Sequence, residues 1–408
     1  MHKKSRLLVI SKVYPFPGES GQQMRVRYSL ESLRNDFHIT FFSTSPKSQI
    51  EVVKKEISKY VDESIIIPTK FDGIIIKTIY RIIGLIWMIL TGLKFSNFIV
   101  SKIDFTTKRL ESELAGKEYD IVLYEYWHSY KTIEYFIKKN VPTILDMHNI
   151  LWQSYKSQLD LKSWIPGVCK ERLVNRYKRY EESAWTLFNG LIAINKKEFC
   201  YVNDVTHNQK NNIYIPMGID LSKWSVERAP AQPPRIGYYG GLGSSHNQRD
   251  ALKCYKDIMP LVWEEYSDAE LWLIGSNPPN HLKELNKHDS RIHVTGYVRN
   301  VAEILKTMTV MVLPWEGTYG FRSRMIEMMA LGLPIVTTEQ AIDGMNISEN
   351  TGLIISENNN QFVKGIDKIV KFSKKESVDL TKQIKKAVAS YNYKVIYNQM
   401  NCFIQKSI

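Results

Sequence analysis

The sequence predicts an α/β fold built as two successive domains with parallel sheets, and three observations lead there. Short β-branched or aromatic runs alternate with helical patterns along the whole chain, the signature of βαβ units. A Pro-rich stretch, Val226-Glu-Arg-Ala-Pro-Ala-Gln-Pro-Pro-Arg235, separates two such series and marks a domain boundary. The 408 residues, 44% hydrophobic and 24% charged, are enough for two full cores and have an ordinary globular composition.

In the first half, strands are expected at 6–11, 38–43, 64–68, 120–125, 142–148, 190–195 and 213–216, with helices at 22–33, 132–139 and 171–188. In the second half, strands are expected at 235–241, 270–275, 292–296, 310–314, 334–338 and 352–356. The helices there fall at 247–263, 301–308, 323–331 and 361–372. Many of the strand ends carry Gly, Pro or polar residues, where open α/β sheets bind their ligands.

The net charge of +13 is uneven. Residues 1–230 hold 34 basic and 24 acidic side chains, residues 231–370 hold 13 and 16, and residues 371–408 hold 8 and 2. Such a basic field suits an anionic substrate or membrane surface, or simply solvates helix faces. No arginine-rich tract or zinc finger points to nucleic acid. Cys169, Cys200, Cys254 and Cys402 are scattered, which argues against a disulfide framework and suits a reducing cytosol. The apolar run 7–10 meets Lys12 at once and is too short for a signal peptide, so a cytoplasmic chain is expected.

Ile82-Ile-Gly-Leu-Ile-Trp-Met-Ile-Leu-Thr-Gly-Leu93 stands out, with Lys77 and Arg81 before it and Lys94 after it. It is shorter than the roughly 20 residues that a spanning helix needs. Two readings stay open: a buried helix, or a helix lying in a membrane surface with Trp87 and the flanking cations at headgroup level.

No Asp-x-Asp pair, His-Glu-x-x-His or P-loop occurs. No metal site is therefore expected, and no cofactor. Gly241-Leu-Gly243-Ser-Ser-His246 follows a strand, but His replaces the third glycine of a dinucleotide fingerprint.

The informative segment is Pro314-Trp-Glu-Gly-Thr-Tyr-Gly-Phe-Arg-Ser-Arg-Met-Ile-Glu-Met-Met-Ala-Leu-Gly-Leu-Pro-Ile-Val336. A strand ends, a Gly-containing loop follows, then a helix. This puts loop amides and a helix N-terminus at the carboxyl edge of a sheet, a natural anion site. Arg322 and Arg324 stand at that junction and can neutralise a diphosphate without metal. Glu327, about one turn on, can accept hydrogen bonds from two vicinal hydroxyls, as on a ribose. An ordinary amphipathic helix with its charges in water is the other reading.

With these residues in place, the chain resembles the family 4 glycosyltransferases of the GT-B fold, in particular the bacterial polysaccharide branch with Gly-x-Arg-x-Lys-x-x-Glu. Here that motif reads Gly320-Phe-Arg322-Ser-Arg324-Met-Ile-Glu327. Tyr14-Pro-Phe-Pro-Gly-Glu-Ser-Gly21-Gln-Gln-Met-Arg25 is similar to the family's Gly-rich loop followed by Arg. Asp146-Met-His148-Asn149 is similar to its Asp-x-His-Asn. Ile215-Pro-Met-Gly218-Ile-Asp220, Gly240-Gly241 with Asn247, Leu273-Ile-Gly275 and Val294-Thr-Gly296-Tyr-Val298 add to the resemblance. The chain departs from the family at Tyr319, Arg324, Met217 and Asn300, where Glu, Lys, Asn and an earlier Asp are usual.

The resemblance implies two Rossmann-like doubly wound domains facing across a cleft. Residues 1–225 would bind the acceptor and 226–385 the nucleotide sugar, while 386–408 would form a helix crossing back to the first domain and bring the basic tail beside it. It implies a retaining, metal-independent transfer from a nucleotide diphosphate sugar to a glycan or lipid-linked saccharide in cell-surface polysaccharide biosynthesis. Localisation would be cytoplasmic, and peripheral on the inner membrane if the acceptor is a lipid. Arg322 and Arg324 would meet the leaving diphosphate, the amides of Gly320 and Phe321 the phosphate or sugar, and Glu327 the ribose. Gly296, Tyr297 and Val298 would line the base pocket, with Gly240, Gly241, Asn247 and Gly275 also on the donor side. His148 would face the transferred sugar or its phosphate, with a structural histidine as the other reading. Gly21, Arg25, Asp146 and Asn149 would lie on the acceptor side, with a surface charge as the other reading of Arg25. Two rivals are a nucleotide-sugar 2-epimerase and a non-catalytic scaffold that docks polysaccharide enzymes.

Overall fold

The computed structural model describes residues 4–18, 20–91, 103–208, 211–317, 321–345, 347 and 351–408. Gly320, Tyr319 and Lys94 lie outside the described residues. The chain forms two compact units. The first is built from Met1–Gly218, Phe321 and Lys394–Ile408, the second from Ile219–Thr318 and Arg322–Tyr393.

The first unit holds a seven-stranded parallel sheet of β1 (Ser5–Ile10), β2 (Phe37–Ser45), β3 (Glu63–Pro68), β4 (Ile121–Glu125), β5 (Thr143–Asp146), β6 (Gly190–Ala193) and β7 (Asn211–Tyr214). Their order across the sheet is β3-β2-β1-β4-β5-β6-β7. Leu7, Leu8, Val9 and Ile10 are all fully buried, as expected of a parallel strand covered on both faces. The order reverses between β1 and β4, so their carboxyl ends and the neighbouring end of β5 border a crevice of the kind that takes ligands.

The second unit repeats this plan with six parallel strands. They are β8 (Arg235–Tyr239), β9 (Glu270–Ile274), β10 (Ile292–Val294), β11 (Val310–Leu313), β12 (Ile335–Thr337) and β13 (Leu353–Ile355). The order is β10-β9-β8-β11-β12-β13, with the reversal between β8 and β11. All thirteen expected strands are present. Most end a residue or more sooner than hydropathy suggests, because Gly240, Gly275 and Gly296 belong to the loops beyond them. The expected 247–263 helix is three pieces: Ser245–Lys253, a π-turn at Cys254–Ile258, and Met259–Glu265. Pro260 has no N–H to donate, so the regular ladder cannot run through this point.

The last helix, Tyr393–Gln405, packs on the first unit. The Tyr397 and Tyr28 rings lie 6.0 Å apart, and the Asn401 amide donates to the Asp36 carboxylate. The charge of the tail does not follow it. Six of the eight basic residues in 371–408 lie between 371 and 386, in the second unit, and only Lys394 and Lys406 join the first. The expectation of a basic tail beside the basic first domain is therefore corrected. Most of that charge sits on the Lys374–Ala387 helix and just before it.

Residues 82–91 of the greasy segment belong to the helix Ile74–Thr91, which is not buried in a core, and Gly92 and Leu93 lie outside the described residues. Gly84 faces inward and Trp87 packs against the first unit's hydrophobic core, while Ile82, Ile86 and Ile89 are more than half exposed. Trp87 is thus an inward anchor rather than a residue at headgroup level. Among the described residues, no helix is long and apolar enough to cross a membrane.

Candidate functional site

The second unit assembles its residues at the β8/β11 reversal. Gly240 and Gly275 are demanded by close approach: a Cβ on Gly275 would lie 1.6 Å from the Gly240 carbonyl oxygen. The Gly240 amide donates to the Ile274 carbonyl (3.0 Å), tying the two strand ends together. Asn247 shapes the same loop. Its Nδ2 donates to the Gly241 carbonyl (2.8 Å), and its Oδ1 accepts from the Tyr238 hydroxyl (3.0 Å). Gly296 has φ +70°, a left-handed conformation that favours glycine, and Tyr297 beside it is largely exposed.

The Ser323–Ala330 helix begins directly after Arg322 and has no acidic residue in its first turn. Two guanidinium groups thus stand at the positive end of a helix dipole, an unfavourable arrangement unless an anion is present. Arg322 donates to the carbonyls of Gly317 (2.7 Å) and Glu316 (3.2 Å) and lies over the Trp315 ring, 5.0 Å from its centre. Arg324 lies over Tyr239, 5.3 Å from the ring centre, and a Cβ on Gly241 would come within 3.5 Å of its Nη2. Loop carbonyls and aromatic faces hold both cations in place.

Glu327 is buried, and its carboxylate accepts from the Tyr239 hydroxyl at 3.2 Å. Burial pushes its pKa above the usual carboxylate range, against the opposing pull of Arg324. Tyr239 was not singled out in the sequence, nor was His246 as a site residue. Burial, followed by the nearby charges of Arg249 and Arg322, lowers the His246 pKa. Both residues border Gly240-Gly241, and that adjacency was the available signal.

The first unit builds a different cluster from the ends of β4 and β5 and the Gly21–Leu33 helix. Ser20 caps that helix in a reciprocal capping box with Gln23, so Gly21 is its first residue and Arg25 lies a turn further on. Arg25 is 1% exposed, which rules out the surface-charge reading. Its Nε and Nη2 each reach one Asp146 carboxylate oxygen at 2.7 Å, and its Nη1 donates to the Ile215 (3.2 Å) and Pro216 (3.3 Å) carbonyls. Burial works against the Arg25 charge, but Asp146 outweighs it and holds the guanidinium above its usual range.

His148 takes φ +55° immediately after the β5 end, which turns its ring toward β4. Its Nε2 bonds the Glu125 carboxylate and lies 3.8 Å from Asp146, and the Tyr126 ring stacks on it at 4.3 Å. Burial raises the Glu125 pKa, opposed by His148. Asn149 turns away, its Nδ2 donating to Ser154 at 3.0 Å. Glu125 and Tyr126 were missed in the sequence. An acidic residue ending a predicted strand was the signal for Glu125, but nothing local distinguished it from an acid that ends its strand in water.

Among the described residues, Glu125, Asp146 and His148 are the group whose ligand atoms lie close enough to hold a metal ion. Both Asp146 oxygens are taken by Arg25, so a divalent cation there would sit against a guanidinium. These residues fit a self-neutralised ion cluster better than a metal centre.

Residues 233–371 match the family model described as Glycosyl transferases group 1. No curated protein sequence matches the chain. Solved structures do. Sucrose-phosphate synthase from Thermosynechococcus elongatus aligns with TM-score 0.69 and 15% identity, over 99% of each chain. An Anabaena protein in complex with UDP and glucose aligns with TM-score 0.61 and 12% identity, over 99% of this chain and 100% of that one. An α,α-trehalose-phosphate synthase (UDP-forming) from Burkholderia xenovorans, in complex with glucose-6-phosphate, gives 0.64 and 10%, over 98% and 100%. The chain therefore has the GT-B fold, and residues 233–371 of its second unit are similar to the group 1 glycosyl transferases.

Proposed function

We propose that the chain transfers a sugar, with retention, from a nucleoside diphosphate sugar to a glycan or lipid-linked saccharide, without a metal ion, in cell-surface polysaccharide biosynthesis. The observation that carries this reading is the pair Arg322 and Arg324 at a helix N-terminus with no acid in its first turn. Such a site accumulates positive potential where a diphosphate leaves. Glu327 is the ribose acceptor in this reading, and the Phe321 amide approaches the phosphate or sugar. The charge on the leaving diphosphate is taken up by the two guanidinium groups while the sugar passes through an oxocarbenium-like state. His148, oriented by Glu125 and stacked on Tyr126, holds the transferred sugar. The structures in complex with UDP and glucose, and with glucose-6-phosphate, support a nucleotide donor and a saccharide acceptor.

The test is thermal shift of the purified chain with UDP, GDP and ADP, followed by donor turnover with and without saccharide acceptors. One nucleoside diphosphate should raise the melting temperature in proportion to its occupancy of the native state. Stabilisation by none of them rejects the donor site. Stabilisation without turnover on any donor moves the chain to the scaffold reading.

A further inference from the structure

We propose that the first unit docks on an anionic membrane surface through the outward face of the Ile74–Thr91 helix, with the groove beside the end of that helix taking a lipid headgroup phosphate. This inference is independent of the reaction proposed above.

The helix inverts the usual amphipathic pattern. A narrow stripe faces the protein: Tyr80 meets Phe71 edge-on at 4.6 Å, Gly84 is buried, and Trp87 packs on the core. Ile79, Ile82, Ile83, Ile86, Ile89 and Leu90 recur at helical spacing and are 44–64% exposed. A contiguous apolar stripe of this length is costly in water and marks an interaction surface.

Charge selects the occupant. The helix contains Lys77 and Arg81 and no acidic residue. Its last turn rests on the Gly167–Trp185 helix, where Arg176 donates to the Leu90 carbonyl. Leu90, Arg176, Arg179, Tyr180 and Ser183 line a groove of about 520 Å³. Guanidinium groups with hydroxyls beside them are a phosphate-binding set. An apolar helix face bordered by cations matches the boundary between acyl chains and anionic headgroups. The surplus of 34 basic over 24 acidic residues in 1–230 favours the same partner over long range.

The experiment is sedimentation of the full chain with vesicles of phosphatidylcholine alone or mixed with phosphatidylglycerol, with inorganic phosphate as a separate competitor. The wild type should pellet with the anionic vesicles, less with the neutral ones, and lose only part of its binding at high salt. Ile82→Asp combined with Ile89→Asp should lower the partition coefficient at least about tenfold with an unchanged circular dichroism spectrum, because both positions are exposed. Arg179→Glu should lower binding to anionic vesicles about fivefold or more and leave neutral vesicles almost unaffected. Free phosphate at millimolar concentration should compete weakly; full release by it would show a soluble phosphate site and overturn the membrane assignment. A wild type that ignores anionic vesicles would also overturn it, as would a folded double variant that binds as well as wild type. Concentration-dependent dimerisation abolished by the same variants, without vesicle binding, would assign the face to a second copy of the chain instead.

Discussion

The two units share one topology and use its reversal point in opposite ways. In the first, the ends of β4 and β5 carry Glu125, Asp146 and His148 and the Gly21–Leu33 helix adds Arg25, all buried and all bonded to one another or to backbone. In the second, Arg322 and Arg324 lie over aromatic rings at a helix N-terminus, and the buried carboxylates close by are Glu327 and Asp250, the latter paired with Arg249. The Arg25–Asp146 pair at the heart of the first cluster is electrostatically closed, and the second cluster is poised for an anion. Charge of the first kind supports the fold, so its loss should appear in stability. Charge of the second kind opposes the local helix dipole, so its loss should appear in function while the fold stands.

The largest expected effect tests the closed cluster. Arg25→Met leaves Asp146 buried without its partner and should destabilise the first unit by about 3–5 kcal/mol in urea unfolding. Adding Asp146→Leu should restore part of that loss, because the uncompensated charge is then gone. An Arg25→Met protein with the wild-type midpoint would erase the contrast between the units.

The open pair comes next. Arg322→Ala and Arg324→Ala should each slow transfer by about 30- to 1000-fold, a cost of roughly 2–4 kcal/mol, with wild-type unfolding curves. Unfolding that shifts as much as in Arg25→Met would mean these cations are structural too.

Glu327→Gln should weaken nucleoside diphosphate binding by roughly 1–2 kcal/mol, read by calorimetry. The pH dependence has a definite sign. Burial raises the Glu327 pKa, so the carboxylate is protonated at higher pH than a free glutamate. Affinity should therefore fall as pH drops through a value above 4.5, and this fall should vanish in Glu327→Gln. Tyr239→Phe removes the hydroxyl that donates to that carboxylate and should cost about 1 kcal/mol of affinity. Smallest of all should be the effect of EDTA: turnover in chelator should match turnover without it, and loss restored by Mg²⁺ or Mn²⁺ would refute a diphosphate neutralised by arginine alone.

Read as a linear string, the chain already determines its two-part α/β architecture. Thirteen strands follow from β-branched runs alternating with helical periodicity, since that periodicity is a local property of the chain. The Arg322-Ser-Arg324 and Glu327 spacing is also local, because three to five residues on one helix start stay neighbours whatever the rest of the fold does. The first-unit cluster was only half legible. Arg25 and Asp146 were visible as motif residues, but their pairing spans 121 positions and depends on strand order. Glu125 was invisible because an acid at a strand end looks alike whether it meets water or a histidine. Only the tertiary structure decided that Arg25 is buried, that the tail's lysines stay with the second unit, and that the Ile74–Thr91 helix shows its isoleucines outward. Hydropathy ranks residues by their preference for burial, but which face of a helix is covered depends on what distant chain segments happen to cover it.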